Sequence, residues 1–214
     1  MKCLIPIHQE KYPEKSMERA KQICDEVNLI YIVDKNIIEK VKREASYTIP
    51  SYALEDLEKF IIEIQKKESK KIEEEMKKYV KTNLKFRIGE YYETIEKEVL
   101  KSNFDIIMID HFSPAFLNFK KPIWIERGIK IENCTFVVYS VSKINKLKEQ
   151  IKFSKKLVKK IGCKFSIYYL GKEKEVIETL WKEGEIIGEI KGELIIIQKH
   201  KKMKIGEKAN ILIL

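Results

Sequence analysis

Apolar and charged positions along the chain follow two periods in turn. Short apolar runs with little polar alternation occur at Cys3–His8, Leu29–Val33, Leu84–Ile88 and Phe104–His111. Between them, apolar residues recur every three or four positions. Met17, Ala20, Ile23, Cys24 and Val27 share one helical face over Lys15–Val27, with Glu18, Arg19 and Lys21 facing away and Ser16 as the N-cap. Asn36–Ala45 reads as a short helix, and Ser46–Tyr52, broken by Pro50, as a loop. Leu57, Ile61, Ile64, Ile72, Met76 and Tyr79 mark a long helix from Leu54 to Val80. Its outer face carries Glu63 with Lys67, Glu73 with Lys77 and Glu74 with Lys78. These pairs stand one turn apart in the favourable order, so the charge run is a solvated face. Tyr92, Ile95 and Val99 form the apolar face of the next helix.

Unbroken apolar runs such as Ile106–Ile109 suit strands covered on both faces, as in a parallel sheet. The alternation of strands and helices up to Thr135–Tyr139 predicts an α/β fold: a five-stranded parallel sheet with helices on both faces. On this reading Trp124–Ile129 is a short helix and Thr135–Tyr139 is the fifth strand. The pattern then restarts. Leu147, Ile151, Ser154, Val158 and Ile161 make an amphipathic helix stopped by Gly162, and Lys164–Leu170 is a strand. A short helix at Val176, Ile177, Leu180 and Trp181 and strands at 185–190, 194–198 and 210–214 complete the chain. The division expected is one complete unit, 1–141, followed by a shortened second copy, 142–214.

Charged residues make up 36% of the chain, with a net charge of +10 carried by a lysine excess. The lysine, glutamate and isoleucine bias fits a thermophile's ion-paired surface or an AT-rich genome. The positive charge fits either a well-solvated surface or an anionic partner. Lysines cluster at Lys152, Lys155, Lys156, Lys159 and Lys160, and again around His200 at Lys199, Lys201, Lys202 and Lys204. Neither cluster is interleaved with aromatics for base stacking, so a solvated lysine-rich face is favoured over a nucleic-acid partner, and a basic nucleic-acid-associated protein stays as an alternative reading. Cys3, Cys24, Cys134 and Cys163 form no close pair, and three of them stand at the starts of apolar runs. They read as buried free thiols in a reducing compartment, not as a disulfide frame or a zinc site. No apolar stretch is long enough to cross a bilayer, and the start is too short an apolar run for a signal peptide. A cytoplasmic protein is expected, with no membrane partner.

Several local strings resemble the universal stress protein family. LIPIH is similar to the family's first strand, LIYIVD to its second, and FDIIMIDH to its fourth, which commonly reads D-x-I-V-M-G-x-H and is matched at Asp105 and His111. NCTFVVYS is similar to the family's closing strand. The likeness covers residues 1–141, with a fainter echo in 133–214. It implies a Rossmann-like fold of the HUP (adenine nucleotide alpha hydrolase-like) class, non-enzymatic binding or regulation, and pairing of domains. That pairing would be a homodimer or, between the two copies, an internal pseudo-dimer, alongside an unidentified protein partner. The family's ATP-binding members carry G-x2-G-x9-G-S/T after the fourth strand. Here Asp110 takes the first glycine position and no glycine follows until Gly128. A carboxylate repels phosphate, and His8 and Ser140 stand where the family's first strands end in an acidic residue. ATP or AMP bound by the usual route is therefore not expected, which leaves no required cofactor.

Ligands of parallel sheets bind beyond the carboxyl ends of the strands. That places His8, Asp34, Asp110 and His111 together as candidate ligand-binding residues. They suit a divalent metal or a nucleoside's base or ribose, and the alternative function is a stress protein that binds ATP or AMP through these residues in place of the glycines. The alternatives are capping and solvation. Their spacing carries no metal signature, and no catalytic motif occurs anywhere. Phe112, Phe116, Phe119 and Trp124 read as packing beneath the loop that follows.

Overall fold

The computed structural model describes residues 1–139, 144–170, 177, 185–187, 189–199 and 208–214. The elements are β1 (Lys2–His8), α1 (Glu14–Ile23), β2 (Glu26–Asp34), α2 (Lys35–Ala45), α3 (Ser51–Lys77), β3 (Lys81–Gly89), α4 (Tyr91–Lys101), β4 (Ile106–Ile109) and β5 (Ile123–Ile125). They continue as β6 (Asn133–Val138), α5 (Ile144–Ile161), β7 (Lys164–Tyr169), β8 (Glu185–Ile187), β9 (Leu194–Ile197) and β10 (Asn210–Ile213). A single 3-10 turn, Pro114–Asn118, follows β4.

Among the described residues, the strands form one ten-stranded mixed sheet in the order β3-β2-β1-β4-β5-β10-β9-β6-β7-β8. Neighbours are parallel except at the centre, where β5 and β10 run antiparallel. The expected five-stranded parallel sheet is thus half of a larger one. The register makes the halves equivalent. Cys3 pairs with Ile106 and Ile107 with Ile123 in the first half. Cys134 pairs with Leu194 and Ile195 with Ile211 in the second. Across the junction Ile125 faces Ile211, Trp124 faces Leu212 and Ile123 faces Ile213. The antiparallel junction is centred on the Trp124–Leu212 pair.

The long helix starts at Ser51, inside the expected loop, and ends at Lys77, short of Val80, and three further expectations change. Trp124 lies in a strand, because Ile123, Trp124 and Ile125 are all buried between two faces. Thr135–Tyr139 does not close the first half. β6 pairs with β7 and β9, so a division at 141 separates this strand from its own partners. Helix α1 stops at Ile23, and Val27 belongs to β2. The expected helix at 176–181 and the lysines at 201, 202 and 204 with His200 fall outside the described residues, apart from Ile177, which is buried.

The sheet is covered on both sides, which explains its unbroken apolar runs. On one face Cys3, Ile5 and Ile7 of β1 pack with Met17, Ala20 and Ile23 of α1, Ile72 and Met76 of α3, and Leu147, Ile151 and Leu157 of α5. On the other, Leu4, Ile107 and Ile109 pack with Ile95 and Val99 of α4 and with Phe116. Gly162 takes φ +78°, the left-handed cap that ends α5. Among the described residues, no helix is long and apolar enough to cross a membrane.

The cysteines are disulfide-bonded, which overturns the expectation of free thiols. Cys3 bonds Cys24, and Cys134 bonds Cys163. Each pair ties the start of a half-sheet's first strand to the end of the helix after it. Cysteines 21 and 29 residues apart look unrelated in sequence. The strand-helix-strand fold returns each helix end beside the strand start.

Candidate functional site

In the first half-sheet, the chain leaves β1 toward one face and β4 toward the other. The gap between those two exits is the switch point at which open α/β sheets bind ligands. A cavity of about 200 Å³ lies there. All four residues expected from the sequence line it: His8, Asp34, Asp110 and His111, together with Lys11, Tyr91 and Phe116.

Each is placed by the element it ends. His8 closes β1, and its Nδ1 accepts the Glu10 backbone N–H at 3.2 Å. The proton of the neutral ring is then on Nε2, which faces Asp34 Oδ2 at 3.8 Å. Asp34 closes β2 and caps α2, its Oδ1 accepting the Asn36 N–H at 2.8 Å. The Tyr91 ring meets the His8 ring edge-on, 5.1 Å between centroids. Burial, then the neighbouring Tyr92 and Asp110, pushes the Tyr91 hydroxyl well above its usual range, so it is a neutral donor.

Asp110 is committed to α1. Its Oδ1 accepts from Ser16 N at 2.8 Å and Ser16 Oγ at 2.5 Å, and its Oδ2 accepts from Lys15 N at 3.0 Å. Ser16 is therefore not the N-cap. The cap comes from ninety-four residues downstream. This carboxylate occupies the amides and positive dipole end that would otherwise hold an anion. Asp110→Ala should lower stability by about 1–2 kcal/mol, the usual loss for a cap. Asp110→Asn should lose less. An unchanged denaturation midpoint for the alanine variant would contradict the capping role.

His111 is exposed at the rim. Sequence reasoning missed Tyr91 and Lys11. The register pairs Asp34 with Gly89, so the residues just after β3 sit beside the end of β2. The turn at Gly89 was the signal for Tyr91. The aromatic cluster packs as expected: Phe116 stacks edge-on against Tyr92 and Phe119, each at 5.5 Å, beneath the loop. Trp124 differs, joining the core of the opposite face. Of the basic clusters, Lys160 pairs with Asp25 at 2.6 Å and bonds the Ile23 carbonyl at 2.9 Å. Among the described residues, no group of three or more His, Cys, Asp or Glu could hold a metal ion.

The whole chain superimposes on a universal stress protein from Archaeoglobus fulgidus, with a TM-score of 0.57 over 98% of this chain and 95% of that one, at 12% identity. This is a universal-stress-protein-like fold. The cytoplasmic domain of a prokaryotic cation chloride cotransporter gives a TM-score of 0.58 over 99% of this chain and 94% of that one, at 10% identity. Both superpositions span the two halves of the sheet. No protein-family model matches the chain. No curated protein matches it either.

Proposed function

We propose that the chain is a non-catalytic binding or regulatory protein built from two universal-stress-like units, 1–125 and 133–214, joined as an internal pseudo-dimer. Two observations support the duplication: the register symmetry about Trp124 and Leu212, and the disulfide repeated at equivalent positions. The first unit's crevice takes the uncharged part of a nucleoside-type ligand. His8, Asp34 and Tyr91 supply an aromatic edge, an acceptor and a neutral donor for a base or ribose.

The observation that carries this reading is Asp110. It fills the amide cradle of α1 with a carboxylate of the protein itself, which takes the Lys15 and Ser16 amides away from a polyphosphate and sets a negative charge in their place. The cavity, about 200 Å³, is also below the range of sites that enclose a whole drug-sized ligand. Calorimetric titration with adenosine, AMP and Mg-ATP tests it. Adenosine should bind, and added phosphates should not tighten binding at this site. Asp34→Asn keeps a good cap for α2 but removes the charge, and should weaken adenosine roughly tenfold, a loss of ~1.4 kcal/mol. Adenosine that fails to bind, or Mg-ATP that binds more tightly through His8 and Asp34, would overturn the reading.

A further inference from the structure

On the opposite edge of the sheet lies a larger cavity, of about 560 Å³. The segment before β5 forms one wall, and α5 with the ends of β9 and β10 forms the other. Lys120 and Lys121 come from the first half-sheet, and Lys146 and Lys199 from the second. One carboxylate side chain, Glu149, shares the lining. Elsewhere lysines sit on carboxylates, as in Lys42–Glu58 at 2.7 Å and Lys77–Glu73 at 2.8 Å. Among the described residues, none of these four has a carboxylate within ion-pair reach. Lys199 instead donates to the Phe119 carbonyl at 2.5 Å, and Lys121 lies over the Phe104 ring, 5.4 Å from its centroid.

From four lysines against one carboxylate side chain in the lining of a cavity of ligand size, we infer a second binding site, for a small polyanion of the phosphate class. Lysine binds phosphate as a mobile point charge, so flexible lysines on two walls can close on one ligand. The volume falls within the usual range for small-molecule sites. Gln150 and Asn118 add neutral hydrogen-bonding groups, and Phe153 an apolar wall. Burial, then repulsion from Lys146, pulls the Lys199 ammonium below its ordinary range, so an arriving anion relieves both cations. The site shares no residue with the nucleoside crevice and does not depend on it.

Inorganic pyrophosphate is the probe, titrated calorimetrically into the full chain at low ionic strength, with sulfate as a control for simple ionic effects. It should bind one equivalent and weaken as salt rises. Lys146→Ala, at an exposed position that leaves folding intact, should weaken it roughly tenfold. Lys199→Ala should weaken it at least as much, with folding checked by circular dichroism. Lys97→Ala lowers the net charge equally but sits on α4 in a pair with Glu93, and should change nothing. The assignment is overturned if pyrophosphate does not bind, if sulfate binds equally, if Lys146→Ala is silent, or if Lys97→Ala weakens binding as much. Mg-ATP binding abolished by Lys146→Ala but not by Asp34→Asn belongs to this cavity, and leaves the reading of the crevice untouched.

Discussion

Glu126→Ala should destabilise the fold by about 3–5 kcal/mol, the usual loss when one partner of a buried ion pair is removed. Glu126 follows β5 at the centre of the sheet, with its side chain 1% exposed. It accepts from Arg19 Nε at 2.8 Å, Trp124 Nε1 at 2.9 Å and the Gly128 N–H at 2.8 Å. Arg19 reaches it from α1 and also donates to the Ile129 carbonyl at 2.8 Å. That carbonyl accepts a second bond from Asn210, whose side chain in turn accepts the Arg127 N–H at 2.7 Å. One network thus fixes the link between the half-sheets to both central strands. The alanine variant leaves a buried indole N–H without its acceptor and a largely buried guanidinium without its counter-charge, held only by the Ile129 carbonyl and Gln22, and both losses cost desolvation that is no longer offset. Glu126→Gln keeps an acceptor for the indole and should lose less. Urea denaturation at unchanged m-value measures the loss, and a double-mutant cycle with Arg19→Ala isolates the pair. A loss below about 1 kcal/mol for Glu126→Ala would refute the central role given to this network.

Removing the two disulfides should have the next largest effect. Each paired replacement by serine should lower stability by about 2–4 kcal/mol. The bonds close loops spanning 21 and 29 residues, and in the chain-entropy account most of the gain comes from restricting the unfolded chain. Cys3 and Cys134 are fully buried in the core face that α1 and α5 cover. Reductant should therefore lower the melting temperature of the wild type and leave the variant lacking all four cysteines unchanged. Thiol titration of the denatured, unreduced protein should find no free cysteine. Four titratable thiols with an unaltered melting temperature would overturn the assignment. Because the two bonds lie in opposite half-sheets, losing one pair should leave the effect of losing the other nearly unchanged.

The sequence by itself determined the layered α/β class, most of the strands and the location of the crevice. Burial on both faces removes polar alternation from a strand, so Ile106–Ile109 and Leu29–Val33 announce central positions locally. His8, Asp34, Asp110 and His111 were legible as neighbours because a parallel sheet gathers all its strand ends at one edge. What those residues do was not legible. Asp110 reads as a lost glycine, and only the return of α1 beside β4 shows its carboxylate serving as the helix cap. The tertiary structure also decided which strands pair. Ile123–Ile125 and Asn133–Val138 are both short apolar runs, and nothing local says that the first ends one half-sheet and the second begins another. That choice rests on the antiparallel join of β5 to β10, between residues about ninety positions apart. The cysteine bonds and the lysine cavity have the same origin: each brings together groups from distant elements, and no periodicity along the chain encodes their meeting.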